Sequence, residues 1–228
     1  MEVIKSNLEI IKEKIKKAAL KSDRNPEEIK LVAVTKTASI GQIKEAISAG
    51  IRMIGENKVQ AAKEKYHILT IDTEWHLIGH LQTNKVKYAI EIFDCIQSVD
   101  SIKLAKEIDK RSLQFGKTTN ILIEVNVSGE KTKYGIKPEE VEAFLKEISE
   151  FSGIRVRGLM TIAPIEEMKE KVRPYFRKLR ELSQEIKGKN IKNIKMDYLS
   201  MGMTDDFEIA VEEGANMLRI GRGIFGIH

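Results

Sequence analysis

Two features of the sequence could carry chemistry: a lysine that ends an apolar run, and two glycine-bearing segments near the carboxyl terminus. Lys36 ends the run LVAVTK (31–36), which predicts a strand leading from a packed interior to the surface. An ammonium at such a point is expected to be partly desolvated, which favours the neutral, nucleophilic amine that forms a Schiff base with an aldehyde. The alternative is a lysine that simply extends from the strand end into water.

The first glycine-bearing segment, GRGIFG (221–226), fits the glycine pattern of a dinucleotide-binding turn. That pattern also requires a following helix and an acidic residue about 20 positions further on, and only two residues follow here. A turn of Gly221, Arg222 and Gly223 can instead direct backbone N–H groups toward a single anion. The alternative is that these glycines only shape turns.

The second segment, LSMGMTDD (199–206), lies a short distance upstream. Ser200 offers a hydroxyl donor, and Gly202 would let an anion approach closely because it lacks a Cβ. A helix predicted to begin near Thr204 would add free backbone N–H groups, which favour an anion. Together the two segments predict a site for one phosphate.

The elements that must position these residues alternate between β-branched runs and amphipathic windows. After an opening helix at about 2–21, the pattern predicts strands at 31–35, 51–55, 75–79, 93–98, 121–127, 154–160, 195–200 and 216–221. Helices are predicted near 39–49, 56–66, 82–90, 101–114, 138–149, 166–187 and 204–213. This alternation predicts an α/β fold, a TIM-type (β/α)₈ barrel with an extra N-terminal helix, in one domain spanning 1–228. A doubly wound open sheet is the alternative.

A barrel would bring the candidate residues together. Active sites of barrels lie at the carboxyl ends of the strands, and phosphate sites commonly use the loops after strands seven and eight. In a closed barrel strand eight neighbours strand one, so a phosphate there would lie beside the Lys36 amine. An amine next to a phosphate site is what pyridoxal 5′-phosphate (PLP) requires.

At this point the motifs resemble those of a known family, the pyridoxal phosphate homeostasis proteins (YggS/PROSC). The resemblance is carried, between residues 31 and 226, by LVAVTK, GENKVQ, WHLIGHLQTNK, EVNVSGEKTKYG, GLMTIA, LSMGMTDDFEIAV and LRIGRGIFG. It implies the barrel of fold-type III PLP enzymes, similar to the N-terminal domain of alanine racemase. It also implies a protein that binds PLP and supplies it to apoenzymes.

The resemblance assigns roles to particular residues. It implies that Lys36 is the cofactor lysine and that Asn57 lies beside the cofactor. It places Ser200, Gly202 and Gly221 on the phosphate, with Met201 in the same loop. It implies that Arg219 faces the pyridine nitrogen; a phosphate contact or a surface ion pair are the alternatives for this residue.

Composition limits the other classes of function. The 228 residues carry a formal net charge of +5, with 39 basic and 34 acidic side chains, and the dispersed lysines do not predict a nucleic-acid surface. No apolar run is long enough for a membrane span. The lone Cys95 favours a reducing cytoplasm and is predicted to be a buried small hydrophobe. His76 and His80, about 13 Å apart on a strand, would be too far apart to share a metal ion.

Two functions remain open at this stage, a PLP carrier and a fold-type III amino-acid racemase. A racemase needs acid–base groups on both faces of the substrate carbon, and no tyrosine has a clear claim to the second role. We also expect no second domain to cover the barrel, which would leave the site open to water and would suit cofactor exchange. The sequence therefore favours a monomeric carrier, and no residue is assigned a catalytic or metal-binding role. Glu56 is left as either an acid or base at the barrel mouth or part of the first turn of a helix.

Overall fold

A computed structural model of the chain describes residues 2–69, 72–164, 166 and 168–226. Within these residues eight parallel strands close into a barrel in chain order, β1 to β8, with β8 pairing with β1. The predicted barrel is therefore confirmed, and the open sheet was the wrong alternative. The strands are β1 Lys30–Val34, β2 Met53–Glu56, β3 Glu74–Leu77, β4 Cys95–Val99, β5 Thr119–Glu124, β6 Ile154–Met160, β7 Ile194–Ser200 and β8 Met217–Ile220.

Nine helices occur in the described residues, the first eight in the order that the sequence pattern predicts. The ninth, a short helix directly after β8 where a turn was expected, was not predicted. The helices are α1 Glu2–Lys21, α2 Ile40–Ser48, α3 Val59–Tyr66, α4 Val86–Ile92, α5 Ile102–Gln114, α6 Val141–Ile148, α7 Arg173–Gly188, α8 Phe207–Glu212 and α9 Arg222–Phe225. Short 3₁₀ turns precede α4, α6 and α7, at Thr83–Lys85, Pro138–Glu140 and Lys169–Val172. No helix in the described part of the chain is long and apolar enough to cross a membrane.

The extra N-terminal helix α1 packs against α8 and α9, outside the end of the barrel where the chain closes. Its apolar face buries Ile4, Leu8, Ile11 and Ile15, which recur at the three- and four-residue spacing of a helix stripe. Asn7 donates from Nδ2 to the carbonyl of Ile224 at 3.0 Å. The helix therefore supports the segment that follows β8.

A capping box begins α2, directly after the segment that carries Lys36. The Ser39 N–H donates to Gln42 Oε1 at 2.9 Å, and the Gln42 N–H donates to Ser39 Oγ at 3.3 Å. This reciprocal pair satisfies two N–H groups that would otherwise lack partners at a helix start. The capping box thus fixes the α2 end of the loop between β1 and α2.

Several predicted boundaries shift, and three of them do so for a clear local reason. The helix predicted from 204 begins at Phe207, because the Asp206 carboxylate accepts the Met203 N–H at 2.6 Å and holds 204–206 in a turn. Strand five, predicted to 127, ends at Glu124, where the chain turns to pair with Ile136 of its own loop. The helix predicted at 166–187 starts as a 3₁₀ turn at Lys169; residue 167 lies outside the described residues.

Candidate functional site at the barrel mouth

A cleft of about 440 Å³ opens at the carboxyl ends of β1 and β8. It lies between the β1–α2 segment, the β7–α8 loop and the turn after β8. Its lining residues are Val34, Lys36, Thr37, Met203, Thr204, Asp205, Arg219, Gly221 and Arg222. The structure thus brings together four predicted site residues, Lys36, Arg219, Gly221 and Arg222. Thr37, Met203 and Asp205 also line the cleft and were not predicted; their only signal in the sequence is their position next to predicted strand ends or glycine-bearing segments.

Lys36 extends from a rigidly held strand end. The carbonyl of Thr35 accepts from Lys65 Nζ at 2.6 Å, and the Thr35 hydroxyl donates to Glu56 Oε1 at 2.6 Å. Lys36 itself is exposed, so the partial desolvation predicted for its ammonium is not found. The backbone below it is anchored, while its side chain is free to reach into the cleft.

Glu56 has a structural role that neither sequence interpretation anticipated. It is the last residue of β2 and is fully buried, and its Oε1 pairs with Lys65 Nζ at 2.7 Å. The carboxylate therefore ties helix α3 to the end of β1. Glu56 therefore does not belong to the first turn of a helix, and it does not line the cleft.

The loops after β7 and β8 meet, as the two glycine-bearing segments predicted. The Gly223 N–H donates to Thr204 Oγ1 at 3.3 Å, and Arg222 forms an ion pair with Asp205. A Cβ at Gly221 would lie 3.2 Å from both the Cβ and the carbonyl oxygen of Val34. Glycine at 221 therefore lets the turn after β8 lie directly against β1, beside Lys36.

None of the residues 200–202 lines the cleft. Ser200 is fully buried, and its hydroxyl donates to Gln97 Oε1 at 2.6 Å. Met201 packs into the main hydrophobic core between the barrel and its helices. Gly202 has φ +92°, and a Cβ there would lie 2.5 Å from the Cβ of Ala210. The Ser200 hydroxyl thus points into the barrel, and the missing Gly202 side chain makes room for α8. The phosphate contacts predicted for both residues stay predictions.

Arg219 forms part of the inner wall of the cleft. It is 2% exposed, and its guanidinium donates from Nη1 to Ser200 Oγ at 2.6 Å and from Nη2 to the Thr161 carbonyl at 2.7 Å. Burial lowers the pKa of Arg219 to about 10, and attraction to Glu124 and Asp206 opposes this shift. The side chain therefore stays charged at neutral pH. Its burial rules out the surface ion pair.

Asn57 lies on the neighbouring part of the rim. It follows β2, is half-buried and is not among the residues that line the cleft. Its backbone occupies the space that a side chain at Gly79 would need. The close approach of Gly79 thus fixes the Asn57 backbone beside the end of β3.

Glu124 is a buried acid at the mouth that the sequence analysis missed. It ends β5 and is 7% exposed. Burial and, to a smaller extent, nearby Asp100 raise the pKa of Glu124 to about 7, while Arg219 acts in the opposite direction. The alternation of strand residues could have located it, because Leu122, two residues earlier, packs among the side chains inside the barrel.

The raised pKa of Glu124 predicts a pH-dependent stability. Between about pH 4.5 and 7 the folded state holds a proton that the unfolded chain has released, so stability falls as pH rises through this window. Above pH 7, Glu124→Gln removes a buried negative charge but also removes its attraction to Arg219. We expect the net effect to be a variant more stable than the wild type by about 1–2 kcal/mol. Urea unfolding from pH 5 to 9 measures this difference. Exposed Glu9→Gln is the control, and equal pH profiles for Glu124→Gln and the wild type would contradict the prediction.

His76, His80 and Cys95 lie in separate environments. His76 is buried inside the barrel, whereas exposed His80 lies 3.5 Å from Asp100 Oδ2 and stacks on Tyr134 with ring centroids 3.9 Å apart. Cys95 is buried as predicted, and burial raises the pKa of its thiol to about 12. Among the described residues no group of three potential ligands is placed to hold a metal ion.

Comparison with known proteins places this barrel in a defined class. Residues 4–228 match the family model described as alanine racemase, N-terminal domain. A 45% identical relative, covering 94% of this chain and 93% of its own length, is the pyridoxal phosphate homeostasis protein of Aquifex aeolicus. The protein of the same name from Escherichia coli K12 is 38% identical over 99% of this chain and 97% of its own length. The chain belongs to the pyridoxal phosphate homeostasis protein family, and the family predicted from the motifs is confirmed.

Solved structures agree with this assignment. PipY of Synechococcus elongatus, solved with PLP bound, superimposes with a TM-score of 0.83 at 34% identity, covering 98% of this chain and all of its own. A protein of unknown function from Bifidobacterium adolescentis reaches a TM-score of 0.91 at 35% identity, covering 97% of this chain and 94% of its own. An alanine racemase from Clostridium difficile, 16% identical with a TM-score of 0.77, shares the fold, and this chain covers 57% of it.

Proposed function

We propose that this protein binds PLP as a Schiff base on Lys36 and acts in intracellular PLP homeostasis, holding the cofactor and supplying it to apoenzymes. The observation that carries the proposal is one cleft that joins the exposed Lys36 amine to the turn at Gly221 and Arg222 and to buried Arg219. Family membership and the PLP bound to PipY support it.

The residues of the cleft fit the chemical groups of PLP. A volume of about 440 Å³ lies within the range of about 300–1,000 Å³ usual for small-molecule sites. Bound PLP supplies an aldehyde, which reacts with a primary amine, and Lys36 is the amine that lines this cleft. The cationic Arg222 and the backbone of Gly221 suit the phosphate, although Asp205 offsets part of the Arg222 charge.

Arg219 is suited to orient the cofactor. Its guanidinium is held in the inner wall by the Ser200 hydroxyl and the Thr161 carbonyl, which leaves other N–H groups of its five donors for a ligand. Because guanidinium offers no acceptor and stays charged, a ring nitrogen facing it would stay unprotonated. That arrangement weakens the ring as an electron sink, which suits a carrier better than a racemase.

Exposure of Lys36 also favours the carrier. An amine exposed at the rim can be reached by water and by competing amines, and these are the conditions for release of the cofactor. Carbanion chemistry, in contrast, benefits from a site closed to water. We further propose a monomer that works in the cytoplasm, and free, buried Cys95 suits a reducing compartment.

Titration of the purified protein with PLP, followed by borohydride reduction and peptide mass mapping, tests the proposal. We expect one stoichiometric adduct, located on the peptide that contains Lys36. Absence of an adduct, or adducts spread equally over surface lysines, would overturn the assignment. Measurable racemisation of an amino acid by the loaded protein would favour the racemase instead.

A further inference from the structure

A continuous chain of polar side chains crosses the inside of the barrel and ends at Arg219. Arg219 Nη1 donates to Ser200 Oγ at 2.6 Å, and the Ser200 hydroxyl donates to Gln97 Oε1 at 2.6 Å. Gln97 Nε2 lies 2.8 Å from His76 Nδ1. The chain links β8, β7, β4 and β3, and so spans the barrel lumen from β7 to β4.

The surroundings of this chain are apolar. A cluster separate from the main core fills the barrel interior with Val32, Cys95, Leu122, Met160 and Met217. Cys95 and Gln97 are two residues apart on β4, and Met217 and Arg219 are two residues apart on β8. The two members of each pair therefore point to the same side of their strand. A polar chain inside such a core is costly unless every member is hydrogen-bonded. Each link therefore depends on the next.

Arg219 fixes the direction of every hydrogen bond in the chain. Guanidinium can only donate, so Ser200 Oγ must accept from it and use its own hydrogen toward Gln97. The Gln97 oxygen accepts that hydrogen, and its NH₂ group is therefore directed to His76. His76 Nδ1 must then be an unprotonated acceptor, which places the proton of the neutral ring on Nε2.

The far end of the chain lies at the opposite side of the barrel. His76 Nε2 is 3.6 Å from Oε2 of Glu74, the exposed first residue of β3, a distance longer than a hydrogen bond. Gln97 Nε2 also lies 3.3 Å from Met217 Sδ, which fixes the amide against β8. His76 thus orients the Gln97 amide, and Gln97 orients the Ser200 hydroxyl.

We propose that Gln97, oriented by His76, is a positioning residue that holds Arg219, through Ser200, in the geometry needed at the PLP cleft. The inference rests on the proposed function, because Arg219 is taken to face the cofactor. Neither Gln97 nor His76 lines the cleft, so both act only through the chain. The buried Ser200 hydroxyl thereby has a role that a phosphate contact would not explain.

Two variants of Gln97 and one matched control test this inference. Gln97→Leu removes the link, and Gln97→Glu keeps its shape and its acceptor for Ser200 but has no donor for His76. Ser112→Ala removes another fully buried hydroxyl, bonded to Thr119 at 2.7 Å and far from the cleft in the fold. It controls for the general loss of a buried hydrogen bond.

The first readout does not depend on PLP. Nitrogen-15 NMR of the ligand-free protein should show a neutral His76 ring with its proton on Nε2. In Gln97→Glu the proton should appear on Nδ1, because only Nδ1–H can pair with the new carboxylate. If the wild-type ring is protonated on Nδ1, the hydrogen bonds do not run from Arg219 to His76 as described, and the inference is overturned.

The second readout is the cofactor itself. Gln97→Leu should raise the PLP dissociation constant about tenfold, the scale of one lost hydrogen bond to a charged group, and should shift the absorption maximum of the bound form. Ser112→Ala should change neither quantity. Equal values in Gln97→Leu, Gln97→Glu and the wild type, or equal losses in Gln97→Leu and Ser112→Ala, would overturn the positioning role. If the wild type binds no PLP, the proposed function fails, and the positioning role fails with it because Arg219 has no cofactor to position. If the wild type forms the adduct and the Gln97 variants bind PLP equally well, only the positioning role is overturned.

Discussion

Replacing Lys36 with alanine is expected to abolish the covalent PLP adduct and to weaken PLP binding at least a hundredfold. Among the side chains that line the cleft, Lys36 is the one primary amine, so no neighbour in that lining can replace it. Because Lys36 is exposed and lies outside any helix or strand, its truncation should change the free energy of unfolding by no more than about 0.5 kcal/mol. Absorption titration, and equilibrium unfolding of the same samples, measure the two effects.

Two companion variants separate nucleophilicity from charge. Lys36→Arg keeps a cation beside the phosphate turn but cannot form the adduct, since guanidinium stays protonated. It should retain weak binding that borohydride does not trap. Lys44→Ala removes an exposed lysine on α2 and should behave as the wild type. A full-strength, reducible adduct in Lys36→Ala would mean that another lysine holds the cofactor.

The parts of this site that depend on strand ends could be predicted from the sequence. β6 was predicted at 154–160, the bounds that the structure has, because its alternating apolar residues are bordered by clear turns. Closure of the barrel then places β8 beside β1. Lys36, which follows β1, therefore lies next to Gly221, which follows β8. Local pattern and the general geometry of barrels suffice for this result.

Side-chain direction at the mouth could not be predicted in the same way. Whether Ser200 points into the loop or into the lumen is decided by Gln97, which lies 103 positions away in the chain, and by Arg219. The register between β6 and β7 also shifts by two residues between Val156 and Gly158, and this irregular pairing could not be predicted from the local pattern of β7.

Burial at the mouth was equally hard to predict. Lys36 was expected to be partly desolvated and is exposed, whereas Glu124 was not singled out and is buried. Glu124 ends β5 and Lys36 follows the end of β1 by two residues, so their local patterns are similar. The difference arises from the loops above them. The segment after β5 turns back so that Ile136 pairs with Val125 and its N–H donates to the Glu124 carbonyl, while the segment after β1 leads directly into the α2 cap.

Gly158→Ala is expected to destabilise the protein by roughly 3–5 kcal/mol, the largest stability effect we predict. Gly158 has φ +151° in the middle of β6, a conformation that L residues rarely adopt. A Cβ there would overlap the carbonyl oxygen of Tyr198 and lie 2.7 Å from its carbonyl carbon. Backbone strain and steric overlap therefore add, and neither can relax without separating β6 from β7.

Gly188→Ala is the matched control, because no atom lies within 4 Å of a Cβ at the end of α7. It should be neutral or slightly stabilising, by up to about 1 kcal/mol, and comparison of the urea midpoints of the two variants would reveal the contrast. Equal midpoints would mean that β6 accommodates the side chain. The same comparison bears on function, since β6 leads directly to Thr161, whose carbonyl holds Arg219. Gly158→Ala that stays folded at low temperature should therefore also bind PLP more weakly, whereas Gly188→Ala should bind it normally.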